Sequence, residues 1–108
     1  MANQDPKAGV APQWLLGNWR LQRAEKAVSI MPGTRMHFMA DGTLRYIIAL
    51  EGREHLFELT FTVEDKLLRT ENPDGGQQQA VRFACTDAGL LELDFAGARA
   101  WFAREWVM

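Results

Sequence analysis

Along most of the chain, apolar and polar residues alternate with a period of two. Met36-His37-Phe38, Leu44-Arg45-Tyr46, Phe57-Glu58-Leu59-Thr60-Phe61-Thr62-Val63, Val81-Arg82-Phe83 and Leu91-Glu92-Leu93-Asp94-Phe95 all show it. Such alternation belongs to strands with one buried face. Turn-forming residues punctuate the pattern at Pro32-Gly33, Asp41-Gly42, Glu51-Gly52, Glu64-Asp65, 72–76, 87–89 and Ala96-Gly97. Short strands with a turn signal every ~8–12 residues indicate a sandwich or a barrel. The segments between turns predict eight strands, at 17–25, 35–40, 43–50, 53–63, 66–71, 78–85, 90–95 and 98–106. Residues 12–16 read as one helical turn, since Pro12 suits a first helical position. The stretch 21–30 holds Ala, Glu and Lys without an apolar stripe, so a strand ending near residue 25 is preferred to a helix across it. Residues 1–13 show no periodicity and read as a flexible tail ahead of a single domain at 14–108.

Turn chemistry fixes the registers. A two-residue loop at Asp41-Gly42 would mix polar and apolar residues on both faces. A three-residue loop of Ala40, Asp41 and Gly42 pairs Phe38 with Leu44 and Met36 with Tyr46, which separates the faces. A two-residue loop at Glu51-Gly52 pairs Ile48 with His55 and Tyr46 with Phe57, and sends His55, Phe57, Leu59, Phe61 and Val63 inward. A two-residue turn at Ala96-Gly97 pairs Leu93 with Ala100 and Leu91 with Phe102, with Ala98, Ala100, Phe102 and Arg104 inward and Trp101 outward. In the fifth strand Leu68 and Thr70 are taken as inward, while a one-residue slip would turn Arg69 in instead. Consecutive short turns make an antiparallel meander, and eight strands suit an up-and-down barrel that closes its own edges. The expected fold is therefore all-β, with a short N-terminal helical turn. A barrel of that size is filled by side chains or holds one small ligand.

Composition narrows the function classes. The 108 residues carry 12 Lys plus Arg against 14 Asp plus Glu, so no global basic field points to nucleic acid. Arg20, Arg35, Arg45, Arg82 and Arg99 are interspersed with Glu58, Glu64, Glu92 and Asp94, the pattern of a solvated face. No apolar run reaches the ~18 residues of a membrane helix. Residues 1–13 lack the apolar core of a secretory signal, and the single Cys85 cannot close an internal disulfide. A cytoplasmic location is expected.

Gly17-Asn18-Trp19 opens the first strand directly after the helical turn, and Arg104 points inward from the last strand, beside it. Together with the strand count and the Phe38…Asp41-Gly42-Thr43 hairpin, this resembles small bacterial lipocalin-like domains of the calycin superfamily. The Gly-x-Trp motif is matched by Gly17, Asn18 and Trp19. The resemblance implies that Arg104 packs across Trp19 and closes one barrel end, and that the other end is the mouth. It extends loosely from Trp14 to Trp106. The chain departs from secreted lipocalins in lacking disulfides and long loops, and it is shorter than they are.

With Trp19 and Arg104 at the closed end, the predicted ligand-binding residues line the far end: Tyr46, Ile48, Leu50, Arg53, His55, Phe57, Leu93, Ala98 and Ala100. The alanines leave room where neighbouring strands place Leu and Phe, and Tyr46 and His55 put polar tips on an apolar wall. Arg53 and Arg23 flank the rim and would meet an anionic head group. The competing reading is a core filled by Phe57, Phe83, Phe95 and Phe102 over the alanines.

Catalytic and metal chemistry find little support. His37 and His55 lie on opposite faces, and adding Cys85 makes no ligand spacing. Met31, Met36 and Met39 read as gap fillers and lid residues, and Cys85 as a buried core residue. Residues 72–76 form a turn cluster with carbonyls that could hold calcium only weakly. No triad order, phosphate loop or dinucleotide fingerprint is present. No cofactor is expected, and a calycin-type enzyme using Tyr46 and His55 is the least favoured alternative. The expected function is non-enzymatic binding of a small apolar or amphipathic molecule. The alternative is a filled scaffold that forms a homodimer through the outward Trp101, Ile47 and Met39.

Overall fold

The computed structural model describes residues 11–28, 30, 32–76 and 78–105. A 3-10 turn at Gln13–Leu15 leads into β1 (Gly17–Ala24). There follow β2 (Arg35–Phe38), β3 (Thr43–Leu50), β4 (Arg53–Glu64), β5 (Leu67–Glu71), β6 (Gln78–Cys85), β7 (Leu91–Phe95) and β8 (Ala98–Glu105). Each strand pairs antiparallel with its sequence neighbour, and β8 returns to β1, so the sheet is a closed barrel in the order β1-β2-β3-β4-β5-β6-β7-β8. This is the expected all-β up-and-down architecture. Residues 21–24 are strand, as the missing apolar stripe requires. Residues 1–10 of the flexible tail expected at 1–13 lie outside the described residues. Ala11 already packs against the core, and Gln13 begins the 3-10 turn. Trp106 and Met31 also lie outside the described residues.

The registers follow the turns. Phe38 faces Leu44 and Met36 faces Tyr46 across β2 and β3. Ile48 faces His55 and Tyr46 faces Phe57 across β3 and β4. Leu93 faces Ala100 and Leu91 faces Phe102 across β7 and β8. The Glu51-Gly52 turn has both central residues at positive φ, 53° and 76°, the mirror-image turn whose twist matches a tight hairpin. In β5, Leu68 is buried and Arg69 exposed, so the register with Leu68 and Thr70 inward is the one adopted.

The core is the inner face. Trp19, Met36, Phe38, Leu44, Phe61, Val63, Leu68, Val81, Phe83, Leu91, Leu93, Ala100 and Phe102 are buried there, with Leu15 added by the 3-10 turn. Cys85 continues the inward series of β6 but is exposed, contrary to expectation. It is the last residue of its strand, so the barrel ends before it can cover the thiol.

Trp19 is 1% exposed, and the Arg104 guanidinium lies 4.1 Å from its ring centroid. Arg104 Nη1 donates to the Leu16 carbonyl at 2.5 Å, and Nη2 donates to the Trp14 carbonyl. The Trp19 indole N–H donates to the Leu15 carbonyl at 2.9 Å. The last carbonyls of the 3-10 turn are thus satisfied by the two closing side chains. Gly17 makes this approach possible. Its φ is +116°, and a Cβ there would stand 2.5 Å from Arg104 Nη1. Trp14, not singled out in the sequence, completes the plug. It stacks on Phe83 at 5.7 Å and meets Trp19 edge-on at 6.4 Å.

Candidate functional site: the barrel lumen

The lumen holds a cavity of about 90 Å³. Its wall is built from inward positions on β2 through β8: Met36, Leu44, Tyr46, Leu59, Leu68, Thr70, Gln79, Val81, Leu93, Phe95 and Phe102. Ile30, from the connection between β1 and β2, covers the wall at the mouth end. The wall is apolar except for Tyr46, Thr70 and Gln79. Leu59, Thr70 and Gln79 also line a wider surface depression of about 540 Å³ that takes in Asn72 and Gln78. The cavity and this depression thus adjoin between the middle of β4 and the β5–β6 hairpin. Tyr46 is half-buried, and burial pushes its phenol pKa above the ordinary value, since the phenolate would be poorly solvated against this wall.

The structure brings only some of the sequence-predicted residues to this cavity. Tyr46 and Leu93 line it. Ala100 is wholly buried beside Leu93 without lining it, and Ala98 is half-buried at the start of β8. Ile48 is half-buried, while Leu50, Arg53, His55 and Phe57 are exposed. These residues have the inner-face parity expected of them, yet they stand above the barrel rim. β2 pairs with β3 only as far as Arg35 opposite Ile47, and β5 pairs with β4 only from Glu71 opposite Thr60. Among the described residues, no strand lies beside 48–50 on the outer side of β3 or beside 53–59 on the outer side of β4, so the end of this hairpin stands out as a two-stranded tongue. The inner face of a tongue looks across open space rather than into a core.

Arg23 corrects another expectation. Simple alternation from Trp19 would turn it inward at the rim. A β-bulge between Leu21 and Arg23 shifts the register, so Leu21 faces Phe102 and Arg23 faces Trp101. The Arg23 guanidinium lies on the outer surface, 4.1 Å from the Trp101 ring. Arg99 approaches the same ring at 5.7 Å, and the indole N–H donates to Glu92 Oε1 at 3.1 Å. Trp101 is therefore half-covered by its own neighbours. Ile47 and Met39 are also half-buried, and β1 and β2 separate Ile47 from Trp101 in the sheet. Among the described residues, the exposed large apolar side chains are Leu50, Leu56 and Phe57, all on the tongue.

Thr70, taken as inward from the sequence, does line the site, while Gln79 and Ile30 were not anticipated there. Gln79 carried a signal, because extending the alternation of β6 toward the mouth puts it on the inner face. Ile30 carried none, since loop residues have no parity. In the 72–76 turn, Asn72 Oδ1 accepts from the N–H groups of Asp74 and Gly75. No group of three or more His, Cys, Asp or Glu side chains among the described residues is placed to hold a metal ion.

No protein-family model matches the chain, and no curated protein matches it by sequence. A crystal structure of a lipocalin-like protein from Bacteroides uniformis does match in three dimensions. It superposes with a TM-score of 0.71 at 15% sequence identity, over 85% of this chain and 99% of that one. The fold is lipocalin-like. In this lipocalin-like barrel the Trp19–Arg104 pair marks the closed end and the lumen cavity opens toward the other. No helix among the described residues is long and apolar enough to cross a membrane.

Proposed function

We propose that this lipocalin-like barrel is a non-catalytic binder of a small apolar or amphipathic molecule held in the lumen. The observation that carries the reading is the cavity itself, an apolar wall with Thr70 and Gln79 on the mouth side and Tyr46 deeper in the lumen. Such a wall takes apolar surface out of water while the polar groups orient one end of the ligand. Size limits the occupant. An engineered apolar cavity of about 150 Å³ accepts benzene, so a cavity of about 90 Å³ takes only a smaller body unless Ile30 moves aside. An amphipathic ligand would place its apolar end in the lumen and its polar end at Thr70 and Gln79. Arg23, turned to the outer face, is left out of that head-group site.

Tyr46 supports binding over acid–base catalysis. A general acid or base works best with a pKa near the operating pH, and burial moves this phenol the other way. The exposed Cys85 thiol suits a reducing compartment, so the proposal places the protein in the cytoplasm.

The test is uptake of xenon, a smaller apolar body than benzene, and of benzene, which enters only if Ile30 moves aside, both followed by NMR shifts of lumen methyl groups. Wild type is expected to bind at least one of them. Val81→Phe, which fills the cavity wall, is expected to abolish binding and leave the melting temperature unchanged or raised. A wild type that binds neither probe, with a Val81→Phe variant that unfolds early, would show a filled core and overturn the proposal.

A further inference from the structure

The tongue leaves one edge of β4 open, and the hydrogen-bond phase shows which groups face it. Phe61 N–H donates to the Gly42 carbonyl at 2.9 Å. In an antiparallel ladder this makes Thr43 and Thr60 a non-hydrogen-bonded pair, and the phase alternates from there along the hairpin. Arg53, His55, Phe57 and Leu59 therefore exchange bonds with β3. Glu54, Leu56 and Glu58 turn their N–H and C=O groups outward to the open edge, where no strand among the described residues pairs with them. Leu56 and Phe57 are 56% and 48% exposed on this same segment. An open edge with exposed apolar side chains is a template for another strand.

We propose that a second copy of this chain adds to that edge, with residues 53–59 of the two copies antiparallel about a two-fold axis at Leu56. The segment is self-complementary in that register. Leu56 faces Leu56, and Glu54 faces Glu58 in both directions, so every outward-facing peptide group finds a partner. Shifting the register by two residues either way leaves one of the three positions on each copy unpaired. Glu54 facing Glu58 of the second copy weakens the pairing, and the ion pair that each makes on its own barrel offsets part of that cost. Arg35 Nη2 holds Glu54 Oε2 at 2.5 Å, and Arg45 Nε holds Glu58 Oε2 at 3.0 Å. Across the join the order is Arg35, Glu54, then Glu58 and Arg45 of the second copy, so two carboxylates meet and each is flanked by its own arginine. On the inner face, Phe57 meets His55 of the second copy, and apolar surface now in water is covered. A contact about 24 Å long and two strands wide falls at the low end of interface sizes, so the dimer is weak and concentration-dependent.

Amide hydrogen exchange and sedimentation velocity, run on the full chain from micromolar to millimolar, test this. The expected result is a rise in sedimentation coefficient with concentration, with exchange at Glu54, Leu56 and Glu58 slowing at least about tenfold over the same range. Leu56→Pro removes an N–H that faces away from β3, so it blocks strand addition without breaking the hairpin. Leu56→Lys guards the edge without changing the backbone. Both variants are expected to stay monomeric with an unaltered far-ultraviolet spectrum, whereas Trp101→Ser still dimerises. A wild type that remains monomeric at millimolar concentration overturns the proposal. So does a dimer that survives Leu56→Lys, and one lost in Trp101→Ser would move the interface to the outer face of β8.

Discussion

Trp19 and Phe57 are both large aromatic side chains on the inner face of the same sheet. One is 1% exposed and the other 48%. Trp19 stands where every strand has two neighbours and where a 3-10 turn and Arg104 fold over the barrel end. Phe57 stands on a hairpin that outruns β2 and β5, with β3 as its one neighbour. The same pleat orients both residues. What differs is how much protein lies in front of them, so facing inward and being buried are separate properties in a staggered barrel.

This contrast predicts a gradient of mutational cost from the closed end to the tongue. Trp19→Ala removes the ring that Arg104 stacks on and Trp14 meets edge-on, and should cost about 3–5 kcal/mol. A denaturation midpoint equal to wild type would refute the account of the closed end. Ala100→Trp comes next. Ala100 is fully buried against Leu93, so the larger side chain should overpack the wall and destabilise by roughly 1–3 kcal/mol or more. Gly17→Ala should cost ~1–3 kcal/mol, because the residue combines positive φ with the close approach of Arg104. Pairing it with Arg104→Ala sharpens the test, since relief of the clash would make the double variant less destabilised than the sum of the two. At the far end, Phe57→Ser should change stability by no more than about 0.5 kcal/mol, as expected of a solvent-facing position. A cost near that of Trp19→Ala would mean the tongue folds over the mouth and is buried in solution.

The half-buried middle of the barrel has its own probe. Tyr46 is the only tyrosine in the chain, so its ionisation can be followed directly by ultraviolet absorbance. Burial raises the phenol above its ordinary value of about 10. In the unfolded chain Tyr46 ionises first, so this group favours the fold below about pH 10 and loses that effect as pH climbs through the raised folded-state value. Stability should therefore fall on the alkaline side in step with Tyr46 ionisation, and Tyr46→Phe should flatten that decline. A phenol titrating at its ordinary value would place Tyr46 in solvent and out of the lumen.

Strand count, hairpin registers and the faces of β2 to β8 could be read from the chain alone, and the Trp19–Arg104 closure followed from them together with the lipocalin-like resemblance. These are local properties. A turn of defined length and φ sets the register of the strands beside it, and the pleat then assigns every face. The Arg104 contact was legible because an eight-strand meander must bring its last strand back to its first. Depth in the barrel could not be read that way. Whether His55, Phe57 and Leu50 look into a lumen or into water depends on where β2 and β5 stop, and neighbouring strands of a tilted barrel end at different heights. Only the tertiary structure turned Arg23 outward, because a bulge adds one residue without a clear signature in the alternation. The cavity was decided in the same way. Thr70, Gln79 and Ile30 come together at the mouth from three separate segments, and the space they leave is set by how whole side chains pack, which no pattern of period two records.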